Sequence, residues 1–225
     1  MLELRDFGVR YAGSPALRAV SLRLAPGELA WVLGRNGSGR STLLRGLIGL
    51  AAAEGTARLD GHDLIGAHPW DIARFGVGYA PDTREVFATL DVRENLAVAP
   101  VRAHWCDVEA LLHRFPRLRE RTRVKAARLS GGEQKLLAIA RAALGATRLL
   151  LLDEPYEGLA APMCAAVDDL IATARHAQVA VICTDRGIEG SASLADVWLV
   201  LGAGEPRHCG PPAPTHPMLA EWTTS

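Results

Sequence analysis

Gly34-Arg35-Asn36-Gly37-Ser38-Gly39-Arg40-Ser41-Thr42 stands between an apolar run, residues 28–33, and a stretch, residues 39–49, whose Leu43, Leu44, Leu47 and Ile48 share one helical face. A strand, a glycine-rich turn and a helix in that order are the setting of a phosphate-binding loop of pattern G-x-x-x-x-G-K-[ST]. Gly34, Gly37 and Gly39 let the backbone turn tightly and approach phosphate oxygens. Successive N–H groups and the helix N-terminus then cradle the anion, and the Ser41 hydroxyl is a ligand for Mg²⁺. One defined position departs: Arg40 stands where the pattern has lysine. Arginine keeps the charge but is planar and longer, and it does not place a compact ammonium between two phosphates.

Working outward, residues 2–11, 21–24 and 56–59 read as strands, punctuated by Gly13-Ser14-Pro15, Pro26-Gly27 and Asp60-Gly61. From about Thr83 to Leu129 the texture changes. Asp91 and Asp107 are each placed to cap a helix, the second with Val108, Leu111, Leu112 and Phe115 as its apolar stripe. This block reads as a helical insertion. Afterwards helices (130–144, 162–174) alternate with strands (149–153, 179–183, 197–201). That alternation predicts an α/β domain with a parallel, doubly wound sheet.

Two further motifs follow. Residues 149–152 are four leucines that run into Asp153 and Glu154. A buried strand that ends in a carboxylate can hold Mg²⁺ at its C-terminal edge, and the next carboxylate is placed to orient an attacking water. In Leu129-Ser130-Gly131-Gly132-Glu133-Gln134, Ser130 can cap a helix whose first N–H groups the glycines leave open. That is a second anion-binding helix end, separate from the first. One chain has little need for two; in a head-to-tail dimer each chain's Ser130-Gly131-Gly132 closes the other's nucleotide.

The loop, LSGGEQ and LLLLDEP in this order resemble an ATP-binding cassette (ABC) ATPase over residues 1 to about 210. The resemblance implies an ABC-type P-loop NTPase fold, a mixed-sheet core (about 1–82 and 146–210) with a helical subdomain insertion (about 83–145) and a Pro-rich tail (211–225). It implies ATP and Mg²⁺ as ligands. Tyr11 corresponds to the aromatic that stacks on adenine. Gly34 to Thr42, with Arg35, Asn36, Ser38, Arg40 and Ser41 among them, form the phosphate loop. Ser41, Asp82 and Asp153 are the Mg²⁺-associated groups, and Glu154 is the catalytic base with Asp82 and Arg186 beside it. Ser130, Gly131, Gly132 and Glu133 contact the nucleotide in trans, and residues 157–160 form a dimer-contact loop.

Shorter stretches, residues 79–84, 91–96 with Phe87, 115–121 and 158–160, resemble the branched-chain amino acid uptake group of that family. The group implies a second ATPase subunit and membrane permease subunits, docked near Arg84, Glu85 and Phe87, with the chain in the cytoplasm on the inner face of the membrane. Three positions depart from the most active pattern: Arg40 for lysine, Asp82 for glutamine or glutamate, and Arg186 at the switch position, where histidine is usual. Arg186 still offers donors to a γ-phosphate but does not titrate as a switch. Two readings therefore stand side by side: a slow but working ATPase subunit of an importer, or an ATP-binding partner whose own site is degenerate.

Composition sets the exclusions. The chain has 225 residues, with 25 Lys+Arg against 25 Asp+Glu. A net charge of zero removes the global basic field expected of a nucleic-acid binder. All the basic residues except Lys125 and Lys135 are arginines, so Arg40 sits in an arginine-rich background. No run approaches a membrane span, and the N-terminus lacks a secretory pattern. Cys106, Cys164, Cys183 and Cys209 have no CxxC spacing and are expected as buried apolar residues in a reducing compartment.

Overall fold

The computed structural model describes residues 1–83, 85–100, 102–187 and 190–212. Arg84 and most of the expected Pro-rich tail lie outside the described residues. In chain order the elements are β1 (Leu2–Tyr11), β2 (Ser14–Leu24), β3 (Leu29–Leu33), α1 (Arg40–Leu47), β4 (Ala52–Leu59), β5 (His62–Asp63), α2 (Pro69–Arg74) and β6 (Val77–Ala80). There follow α3 (Val92–Ala97), α4 (Val108–Arg114), α5 (Pro116–Glu120), α6 (Gly131–Gly145), β7 (Leu149–Asp153), α7 (Ala161–His176), β8 (Ala180–Asp185), β9 (Val197–Gly202) and β10 (Glu205–Gly210).

The strands form two sheets. One is six-stranded in the order β10-β9-β3-β8-β7-β6, parallel from β9 to β6, with β10 antiparallel at its edge. The other is four-stranded and antiparallel, β2-β1-β4-β5. The expected doubly wound parallel sheet thus describes only the six-stranded sheet, and the combination is the mixed-sheet core. The reason is local. β1 and β2 are joined by Ala12 (φ 47°) and Gly13 (φ 81°), a two-residue turn of primed type that can only return the chain antiparallel. The expected strands 21–24 and 56–59 are the ends of the longer β2 and β4. Ala19 at φ 53° marks a register shift that breaks the period-two pattern in β2.

The central strands are apolar on both faces, as a covered parallel sheet requires. Leu29, Trp31, Leu33, Leu150, Leu152, Val181 and Cys183 face the core beneath α3 to α7. Ala30, Val32, Leu149, Leu151, Ile182 and Leu199 face α1 and the antiparallel sheet. Burying each such leucine contributes about 1.5–3 kcal/mol before entropy is counted. α1 is held close to β1: a Cβ on Gly46 would lie 2.5 Å from Val9 Cγ2. Cys106 and Cys183 are buried and Cys164 half-buried, but Cys209 is exposed on edge strand β10, so the expectation of four buried cysteines fails there. Among the described residues no helix is long and apolar enough to cross a membrane.

This topology sets the site. The C-terminal ends of β3, β8, β7 and β6 are neighbours, and each releases a polar segment: residues 34–39, 184–186, 153–154 and Asp82. That edge is where an open parallel sheet collects its ligand-binding groups.

Candidate active site

Residues 35–42 wrap a cavity of about 350 Å³ whose remaining walls are Asp82, Glu154, Glu157 and Arg186. The loop is built as the glycines predict. Gly37 and Gly39 take φ of 78° and 104°, conformations that a β-carbon disfavours. Gly34 is needed for space: a Cβ there would meet Ser38 Oγ at 2.1 Å and the Leu201 carbonyl at 2.9 Å. Gly39 is the N-cap of α1 and makes no side-chain cap, so the first amides of the helix face the loop.

Arg40 points at the opposite carboxylate. Its Nη2 donates to Glu154 Oε1, and both side chains are buried. Arg186 Nη2 donates to Glu154 Oε2 at 3.1 Å and to Glu157 Oε1 at 3.0 Å. Both oxygens of Glu154 are therefore engaged by guanidinium groups. Burial would raise the Glu154 carboxyl, but Arg186 and Arg40 outweigh it and hold the group below its ordinary value. Arg40 Nε and Nη1 and Ser38 Oγ are buried with no protein partner.

Asp153 is buried at the end of β7. The Thr184 hydroxyl donates to its Oδ1 at 2.5 Å, while Oδ2 has no protein partner. Burial pushes its carboxyl up, partly offset by the Thr184 and Ser41 hydroxyls. A buried carboxylate oxygen left open beside a phosphate-loop serine is the donor set that a phosphate-bound Mg²⁺ uses. The Arg40 Nε and Nη1 and the Ser38 hydroxyl, left without protein partners, likewise suit a phosphate. The residues present thus fit both ligands.

Glu154 has an unusual backbone, φ 46°, in the left-handed region. Its N–H donates to Thr184 Oγ1 at 3.0 Å, and its carbonyl accepts from Lys135 Nζ at 2.6 Å. Thr184 and Lys135 were not among the expected site residues. Thr184 stands two residues before Arg186, and that nearness is the available signal; nothing local marks Lys135. Glu157, expected in a dimer-contact loop, also lines the cavity.

Of Tyr11, Asp82 and residues 130–133, only Asp82 lines the cavity. Tyr11 closes β1, is 41% exposed and does not line the cavity. Asp82 does line it; its Oδ1 accepts from the Thr83 amide at 2.7 Å. Ser130 caps α6 in a reciprocal box: Glu133 N–H donates to Ser130 Oγ at 3.3 Å and Ser130 N–H to Glu133 Oε2 at 2.8 Å. The other oxygen of Glu133 forms an ion pair with Arg121 Nε at 3.1 Å, so this carboxylate is engaged within the chain. Ser130, Gly131 and Gly132 do not line the cavity.

Comparison with known proteins agrees with this geometry. The family profile described as ABC transporter matches residues 17–157. The high-affinity branched-chain amino acid transport ATP-binding protein BraG of Pseudomonas aeruginosa is 37% identical over 209 residues, 91% of this chain and 90% of that protein. A protein of Archaeoglobus fulgidus named as a probable branched-chain amino acid transport ATP-binding protein, LivF, is 34% identical over 91% of this chain and 89% of its own length. A solved ATP-binding subunit of an ABC transporter superposes with a TM-score of 0.84 at 23% identity, covering 100% of this chain and 95% of that one. An ATP-binding cassette in its ADP conformation superposes at 0.80 and 21%, covering 99% and 98%. The chain belongs to the ABC transporter family and has its ATPase fold.

Proposed function

We propose that this ABC-family chain is the nucleotide-binding subunit that binds and hydrolyses ATP to energise a membrane importer for branched-chain or related amino acids. The observation that carries the reading is the single cavity in which the phosphate loop, Asp82, Glu154 and Arg186 meet. Residues 34–42 receive the phosphates, Tyr11 the adenine, and Glu154 accepts a proton from the attacking water. Ser41, Asp82 and Asp153 would hold Mg²⁺, which when bound neutralises charge that develops on the phosphates. The domain reading accompanies this one: a single cassette over 1–210, with a core of about 1–82 and 146–210, a helical subdomain of about 83–145 and a tail over 211–225.

The second subunit is read as a head-to-tail partner, homo- or heteromeric, whose nucleotide meets Ser130, Gly131, Gly132 and Glu133. The permease reading is supported by a groove of about 320 Å³ between β6, α3 and α6, with Phe87 and Val98 exposed on it and Arg141 packed 5.0 Å over the Phe87 ring. With this reading goes a location in the cytoplasm, peripheral to the inner face of the membrane, and no nucleic-acid partner.

A second reading has its own support. Arg40 and Arg186 both hold Glu154, which favours a chain whose own site turns over poorly and whose partner's site does most hydrolysis. Mg·ATP binding and steady-state hydrolysis, measured on the wild type, Arg40→Lys and Glu154→Gln, separate the two. Turnover that Glu154→Gln abolishes supports the working subunit. Binding without turnover, restored by Arg40→Lys, supports the degenerate partner. No binding at all overturns both.

A further inference from the structure

Glu154 carries its carboxylate on a left-handed backbone, a conformation that is strained for a non-glycine residue and persists only where neighbours fix it. Two neighbours on different elements do so. On the β8 side, the Glu154 N–H donates to Thr184 Oγ1 at 3.0 Å and to the Thr184 carbonyl at 3.1 Å. On the other side, Lys135 Nζ donates to the Glu154 carbonyl at 2.6 Å. Lys135 is 4% exposed, and it lies one turn into α6 from Ser130. Burying an ammonium is costly unless it is hydrogen-bonded in place, so this contact is specified by the fold.

We propose that Lys135 is a positioning residue. It fixes the carbonyl of Glu154, and with it the direction of the carboxylate. It also ties that carboxylate to the helix whose N-terminus, Ser130-Gly131-Gly132, is read as facing the partner's nucleotide. A shift of α6 along its axis then moves the Lys135 ammonium against the Glu154 backbone, so one rigid helix joins the chain's own hydrolytic group to the neighbouring site. The inference rests on the reading of Glu154 as the base.

The test is Lys135→Met, which keeps the apolar stem and removes the donors. The first readout is amide hydrogen exchange of residues 153–158 in the nucleotide-free chain, where the Glu157 N–H donates to the same Glu154 carbonyl at 3.3 Å. Exchange there is expected to accelerate at least tenfold, with the β3 and β8 amides unchanged. The second readout is turnover, by the chain alone or with its partner subunit. kcat is expected to fall at least tenfold, while the Kd for Mg·ATP moves by less than twofold. Unchanged exchange, or a Kd that weakens in step with kcat, overturns the proposal. Should Lys135→Met not fold, Lys135→Gln decides. It keeps an N–H donor, so exchange within threefold of wild type is expected, and a folded Gln variant with tenfold faster exchange overturns it. Glu154→Gln run alongside separates the two levels. Retained turnover in that variant removes Glu154 as the base, whereas lost turnover with a neutral Lys135→Met removes only the positioning role.

Discussion

The Arg40 guanidinium leaves its own phosphate loop and donates to the carboxylate of Glu154, with both side chains buried. Arg186 holds the other oxygen. A carboxylate with both oxygens engaged by guanidinium groups is a poor acceptor for a water proton, because each charge-assisted bond must first be broken. Such a bond contributes roughly 1.5–3 kcal/mol, and 1.4 kcal/mol is about tenfold in rate. Arg40→Lys replaces the planar fork with a compact ammonium. It is expected to raise kcat at saturating Mg·ATP about fivefold or more, measured as phosphate release. A fall in kcat would show that Arg40 serves the nucleotide and does not mask the carboxylate.

Stability should follow the same pair through pH. The Glu154 carboxyl is held below its ordinary value of 4.5 in the folded chain. Its contribution is therefore present above about pH 4.5 and lost as pH falls through the folded value. Glu154→Gln leaves Arg40 buried with a weaker acceptor, at a cost of about 2–3 kcal/mol near neutral pH. Tm is expected to drop by about 5–10 °C at pH 7, and the gap to wild type should narrow at pH 4. An equal gap at both pH values would mean that the ion pair does not carry it.

Asp153 acts in the opposite sense. Its buried carboxyl is pushed up and Oδ2 is unpartnered, so the charged form is a net cost to the nucleotide-free fold. That cost appears as pH rises past its ordinary value of 3.8. Asp153→Asn is expected to stabilise the nucleotide-free chain by about 1 kcal/mol at pH 7, while the Mg²⁺-dependent part of ATP affinity is lost. Thermal melts with ATP, with and without Mg²⁺, read both; a destabilised variant would contradict the assignment.

Gly34 tests the loop by space alone. A Cβ would sit 2.1 Å from Ser38 Oγ and 2.7 Å from Ser38 Cβ. Gly34→Ala is expected to cost about 2 kcal/mol of stability and to weaken Mg·ATP binding at least tenfold by displacing Ser38. Calorimetric titration would show this, and wild-type affinity would mean that the loop adapts freely.

Ser130 has a cap role and a proposed trans role that one variant separates. Ser130→Ala removes the acceptor for the Glu133 amide, at a cost of about 1 kcal/mol. ATP affinity of the isolated chain should be unchanged, while turnover by the assembled pair should fall. Equal losses in both would place Ser130 at the chain's own site.

The phosphate loop, the LSGGEQ cap and the strand ending in Asp153-Glu154 were all legible in the chain, because each is a local code. Glycines at fixed spacing permit the turn, a serine three residues before a glutamate closes a cap, and an apolar run that meets carboxylates marks a strand end. The family followed from their order. Less was legible in the first 60 residues, where the register shift at Ala19 and the turn at Ala12-Gly13 built an antiparallel sheet that period-two counting cut short.

The partners of Glu154 were beyond local reading. Arg40, Arg186, Thr184 and Lys135 reach it from α1, the end of β8 and α6, and only the order β3-β8-β7-β6 makes those elements neighbours. Spacing along the chain told which residue types were present. Whether Arg40 faces a phosphate or a carboxylate depends on where β7 lies across the sheet. That position is fixed by non-local strand pairing and by burial of both sheet faces, and no short stretch of sequence contains it.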